Sequence, residues 1–383
     1  MTIPSEFDSI RPFEPEELPE AYDRLLANPQ FKAVLEFLYP GMPFEAIARK
    51  MRSCSTCLEF QLAFSYGFLK NLMAKESQGM DIDVSALDTE KRYTFVSNHR
   101  DIVLDSALLD VLVYDAGFKT TCEIAIGDNL LSLPWVKDLV RINKSFIVER
   151  SLSPRQTLWS SKRLADYMHF VVSKKNDNIW IAQREGRAKD SNDRTQPALL
   201  KMMAMGGEGS AIERLKQLHI APLAISYEYD PCDYLKAREF LLRRDVEGWK
   251  KNAQDDVDSM RTGIMGYKGR VHYHCAPCID GYLDSLSPDM PQKDLFDRVA
   301  AHLDKQIHRH YQLYPNNYVA LDMLNGTDAF KEKYSEEDKQ RFAQYVEGQV
   351  AKVADVPNKD EDFLRESLLT MYAYPAMNHI LAQ

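Results

Sequence analysis

The sequence predicts an α/β domain built on a mixed, mostly parallel central sheet with flanking helices, set between helical N- and C-terminal regions. Three observations predict it. From Arg92 onward, short β-prone runs alternate with helical patterns, the arrangement that buries a sheet between helices. Before residue 91 and after residue 285, the apolar spacing is helical. The length, 383 residues, exceeds one compact core and suits a catalytic domain with extensions. The expected division is 1–90, 91–285 and 286–383.

In the first region Phe31, Val34, Leu35 and Leu38 recur at helical spacing. Leu62, Tyr66, Leu69 and Met73 share a face of a second helix, over Leu58–Met73, and Pro40, Gly41 and Pro43 punctuate between the two. That second helix either packs on the catalytic domain or lies on a membrane. Its polar face is not especially basic, which favours packing. The acidic stretch Gly79–Lys91 reads as a linker. Strands are expected at Tyr93–Ser97, Thr120–Ile126, Ser145–Val148, Ile179–Ala182, Ile220–Ser226 and Arg270–Ala276. Helices are expected near 102–115, 154–173 and 210–218, with Ser153 and Pro154 as an N-cap and first-turn pair. In the last region Leu295, Val299, Leu303 and Ile307 lie on one face, and a closing helix, Phe363–Tyr374, halts near Pro375.

Net charge is −9, which offers no electrostatic footprint for nucleic acid. No apolar run is long enough to span a bilayer, and the start, MTIPSEFDSI, lacks the basic and apolar segments of a secretory signal. The expectation is a cytoplasmic protein whose six cysteines are reduced thiols.

Four stretches carry chemistry. In Val96-Ser97-Asn98-His99-Arg100-Asp101-Ile102-Val103-Leu104-Asp105 an apolar strand runs through a polar turn into a helix. A neutral imidazole at a strand end takes a proton from an alcohol near pH 7, and a carboxylate on its other nitrogen holds the tautomer. Asp101 and Asp105 both offer that carboxylate. The plainer reading makes Asp101 a helix cap and His99 a turn residue. In Ser145-Phe146-Ile147-Val148-Glu149-Arg150 a strand delivers an arginine, the side chain that grips phosphate through two hydrogen bonds. The plainer reading pairs it with Glu149 or another acid. In Ile179 to Lys189 a buried strand ends in a turn containing Glu185 and Gly186, and Arg184, Arg187, Lys189 and Arg194 gather positive charge there. Ile220 to Glu228 is an apolar strand bearing Pro222.

The order of these stretches resembles the glycerol-3-phosphate and 1-acylglycerol-3-phosphate acyltransferase superfamily. Its blocks are a His–Asp box, an arginine-ended strand, a Glu-Gly turn and a proline-bearing strand. The resemblance covers about residues 92–285. It departs in two places. Five residues separate His99 from Asp105 where the family has four, and Ala188 stands where the family's Glu-Gly-x-Arg turn has arginine.

The resemblance implies acyl transfer from acyl-CoA or acyl-carrier protein to glycerol 3-phosphate, its 1-acyl form or a related lysolipid. His99 is then the base and Asp105 orients it, with Asp101 in reserve. Arg150, Arg187 and Lys189 bind acceptor phosphate, and Glu185 with Gly186 shapes the pocket. No acyl-enzyme, metal or redox cofactor is implied, and peripheral contact with the inner face of the membrane is. A catalytically silent lipid- or partner-binding protein on the same fold is the competing reading.

Two Cys-x-x-Cys pairs, Cys54/Cys57 and Cys275/Cys278, lie too far apart to share a zinc, although His272 and His274 beside the second pair make a local set. No nucleophile elbow or P-loop is present, and Gly206-Gly207-Glu208-Gly209 reads as a turn.

Overall fold

The computed structural model describes residues 3–131, 133–150 and 152–383; Met1 and Thr2 of the opening stretch lie outside them. Seven strands form one sheet: β1 (Met80–Asp83), β2 (Thr94–Ser97), β3 (Cys122–Gly127), β4 (Ser145–Val148), β5 (Asn178–Ala182), β6 (Ile220–Tyr227) and β7 (Val271–Cys275). Their order is β1-β7-β6-β2-β5-β3-β4, parallel throughout except between β6 and β7. The fold is therefore the expected mixed, mostly parallel α/β sheet with flanking helices.

Alternation along β2 shows how the sheet is buried on both faces. Phe95 packs with Leu104, Leu108 and Leu112 of the helix Leu104–Asp115. Val96 points the other way, into the core that also holds Leu164 and Met168 of the helix Pro154–Phe170 and Leu295, Val299 and Leu303 of the helix Gln292–Arg309. Successive residues thus feed two separate cores, which is why all four residues of the strand, polar Thr94 and Ser97 included, are buried.

Three expectations differ from the structure. Gly79–Lys91 holds β1, which pairs with β7 at the sheet edge in the register Met80 to Val271. Its alternating acids hide the strand: Asp81 and Asp83 face His272 and His274 across the pairing. The helix expected over Leu58–Met73 is interrupted by a π-turn at Gln61–Tyr66. There the buried Gln61 amide donates to Asp110 Oδ2 at 3.0 Å, and its carbonyl accepts from Thr121 Oγ1 at 2.6 Å. Leu69, Leu72 and Met73 of this segment pack on the sheet.

The closing helix runs Glu361–Ala382, straight through Pro375. A proline inside a helix costs about 3 kcal/mol. Here the fully buried Ala373 and Ala376 on either side of it pack against the helices Pro315–Asn325 and Glu336–Lys352, and that burial offsets the cost. No described helix is long and apolar enough to cross a membrane.

Candidate active site

β2 ends at Ser97, and the next residue extends the ladder with its side chain. Asn98 Oδ1 accepts from Ile225 N at 2.8 Å and its Nδ2 donates to Ile225 O at 2.9 Å. An asparagine amide carries both a donor and an acceptor, so it mimics a backbone unit of the sheet. The chain is thereby pinned to β6 until one residue before His99, and then leaves the sheet.

His99 meets Asp105 at the start of the next helix, Nδ1 to Oδ2 at 2.8 Å. The same carboxylate oxygen accepts from Arg100 N at 2.6 Å and Asp101 N at 3.0 Å. Asp101 is engaged differently. Its Oδ1 accepts from Val103 N at 2.8 Å and Leu104 N at 2.7 Å, capping the first turn. The added residue between histidine and aspartate is absorbed in this capped turn, before the helix begins. Burial, and then the charge of Asp105, push the Asp101 carboxyl above its usual range. The other Asp101 oxygen lies against Gly263, where a Cβ would overlap it.

The imidazole rests edge-on against Trp180 of β5, with ring centroids 5.5 Å apart. Trp180 Nε1 is satisfied by Ser97 Oγ at 3.0 Å. Among the described residues His99 Nε2 makes no hydrogen bond, and the side chain is 14% exposed. One nitrogen is therefore held and the other is free to meet a substrate.

Arg150 leaves the end of β4, at the far end of the sheet. β2 and β4 are three strand spacings apart, about 14 Å. The guanidinium crosses back over β3 to reach Glu185 beyond β5, Nη1 to Oε1 at 3.3 Å. Gly127 at the end of β3 makes the crossing feasible, since a Cβ there would lie 2.8 Å from Arg150 Nε and 2.9 Å from Cζ. Two expected site residues far apart in sequence, Arg150 and Glu185, are thus brought together. Glu149 is occupied elsewhere, accepting from Arg163 at 2.7 Å and Ser160 at 2.8 Å.

Gly186 has φ +69°, the left-handed conformation that favours glycine at this turn. Of the two cations expected beyond it, Lys189 is turned to the buried Glu239, with which it forms an ion pair. Burial lowers its pKa. Lys189 therefore already has a carboxylate partner. Arg187 is different. Its Nη1 is shielded from solvent and has no hydrogen-bond partner among the described residues, while its charge acts on Asp101. A buried donor left open beside the histidine turn is a ready anion site.

Residues that sequence reasoning missed hold this geometry. Arg100 forms a buried two-bond pair with Asp193. Asp193 also accepts from Tyr311, and its carbonyl meets His308 Nε2 at 2.9 Å. Trp180, Asp193, Gly127 and Gly263 carry no motif, and only Arg100, beside His99, was placed to draw notice.

The residues His272, His274, Cys275 and Cys278 do not form one cluster. His272 pairs with Asp81 at 2.7 Å, His274 lies 3.6 Å from Asp83 and stacks on His310, and Cys275 is in the core.

A histidine with one nitrogen fixed by a carboxylate and the other open, at the C-terminal edge of the parallel strands and beside an arginine with an unpartnered nitrogen, is an arrangement chemically able to take a proton from a bound hydroxyl. Residues 81–226 match the family model described as Acyltransferase. The matched span runs from β1 to the end of β6 and includes every site residue expected from the sequence. No curated protein matches the chain. Among solved structures, the 1-acyl-sn-glycerophosphate (LPA) acyltransferase PlsC from Thermotoga maritima is similar at 12% identity. The alignment covers 75% of this chain and 94% of that one with a TM-score of 0.38, a likeness too low to speak for site or substrate.

Proposed function

We propose that the protein transfers a fatty acyl group from acyl-CoA or acyl-carrier protein to the hydroxyl of glycerol 3-phosphate, 1-acylglycerol 3-phosphate or a related lysolipid. The observation that carries the reading is the 2.8 Å contact between His99 Nδ1 and Asp105, with Nε2 open. In this reading Nε2 takes the acceptor's hydroxyl proton as the oxygen attacks the thioester carbonyl. The tetrahedral adduct collapses with cleavage of the carbon–sulfur bond, and the departing thiolate takes the proton back from the imidazolium. Asp105 holds the tautomer and offsets the transient positive charge. The acceptor oxygen is itself the nucleophile, so no acyl-enzyme forms.

Arg150 and Arg187 bind the acceptor phosphate, with Glu185 steadying Arg150 at the turn made by Gly186. Lys189 acts only through its ion pair with Glu239. Residues 91–285 would then carry the chemistry, with the regions on either side bracing it. Contact with a membrane surface fits Leu158 and Trp159, both more than half exposed on the helix that follows Arg150.

The deciding assay is thiol release from acyl-CoA and from acyl-carrier protein across a panel of phosphate-bearing and phosphate-free acceptors. Acceptor-dependent release supports the reading. Lipid binding without any thiol release would replace it with a silent lipid-binding role.

A further inference from the structure

The parallel strands carry the candidate active site at their C-terminal ends, and a second group of side chains sits at the opposite end. One ring nitrogen of His219, the Cys278 sulfur and one Asp280 oxygen lie within 4.8 Å of one another. His219 directly precedes β6, at the level of Tyr93, six residues short of His99 along the strand direction. At 3.3 Å per residue the two sites are about 20 Å apart.

The group is built by the backbone. Ile279 N donates to Ile220 O at 2.9 Å, and Ala276 N to Pro222 O at 2.9 Å. These bonds tie the segment carrying Cys278 and Asp280 to the start of β6. His219 itself has φ +45°, a conformation uncommon outside glycine, which turns its ring toward Asp280. Its Nδ1 lies 2.7 Å from Asp280 Oδ2, while Asp280 Oδ1 is shielded from solvent with no hydrogen-bond partner among the described residues.

We propose that His219, Cys278 and Asp280 form a binding site for a divalent cation of the zinc class. Sulfur, imidazole nitrogen and carboxylate oxygen are the donor set that zinc takes, at about 2.0–2.3 Å from the ion, which spaces ligand atoms about 3.5 Å apart in a tetrahedron. The observed spacing brackets that value, so small side-chain rotations seat the ion. Three protein ligands leave the fourth position to water. Cys278 releases its thiol proton to solvent as the metal binds. The bound ion clamps the start of β6 to the segment after β7 and takes no part in acyl transfer.

The test uses the full chain after chelator treatment and gel filtration. Zn2+ binding is measured by equilibrium dialysis, and Co2+ binding by thiolate-to-cobalt charge-transfer absorption. Wild type should bind one equivalent and show the absorption. Cys278→Ser should lose the absorption, and His219→Asn should bind at least about 10-fold more weakly. Asparagine tolerates the positive φ at this position, so the second variant keeps the local fold. A wild-type protein that binds no metal, or binding that is unchanged in both variants, overturns the proposal.

Discussion

Arg100 and Asp193 face each other across a buried double hydrogen bond, Nη1 to Oδ1 at 2.9 Å and Nη2 to Oδ2 at 2.6 Å. The pair joins the turn that presents His99 to the loop that follows β5. Through Tyr311 and His308 it continues into the C-terminal region.

Asp193→Asn should therefore destabilise the fold by about 3–5 kcal/mol, because it leaves a guanidinium buried without its countercharge. Urea unfolding measures the loss. An unchanged midpoint would mean the pair does not hold the turn.

His99→Ala should lower turnover by roughly 100- to 10,000-fold, the range for removal of a general base, with little change in acceptor binding. Steady-state thiol release checks it, and an active variant would remove the proposed mechanism.

The two aspartates should separate sharply. Asp105→Asn disturbs the partner of the imidazole and should cost up to roughly 10,000-fold in turnover. Asp101→Asn keeps a side-chain oxygen for Val103 and Leu104, since asparagine also caps helices, and should cost less than about 10-fold. The reverse ranking sinks the assignment of Asp105.

Gly127→Ala should displace the Arg150 guanidinium, since the added carbon would overlap it. Acceptor KM should rise about 10-fold or more with a smaller change in kcat. Arg150→Lys should do the same by losing the planar fork. If phosphate-free acceptors suffer equally, Arg150 does not bind phosphate.

Burial, the largest cause in each case, pushes the carboxyls of Asp110 and Asp233 up to about 7. Each binds more protons folded than unfolded. The stability they contribute is therefore fully present below about pH 4 and is lost as pH rises to about 7. The wild-type loss should be on the order of a few kcal/mol. Asp110→Asn, which keeps an acceptor for Cys122 N, should shrink it. Denaturant midpoints at about pH 4.5 and 7.5 decide; the same pH dependence in variant and wild type would clear Asp110.

Local signals were legible where one short segment settles its own conformation. Six strands carry enough β-prone or alternating residues to read directly, and the ordered His99, Arg150 and Glu185-Gly186 stretches stand at strand ends. β1 was hidden because it is only four residues long and lies in an acid-rich stretch, where Asp81 and Asp83 make it read as linker. The helix through Pro375 was hidden because local preference ends it, whereas packing of Ala373 and Ala376 continues it.

What the sequence by itself determined was the class of fold, the residue types at each strand end and the histidine with two aspartates in reach. Tertiary structure decided which aspartate meets the imidazole, because the choice depends on a turn capped by Asp101 and braced by Asp193, 93 residues away from Arg100. It also decided that Lys189 is drawn to Glu239 while Arg187 is left open, and that Arg150 reaches Glu185 over Gly127. The physical reason is common to all three. A charge takes the partner that burial and strand order bring within hydrogen-bond reach, and neither is encoded in the spacing of residues along the chain.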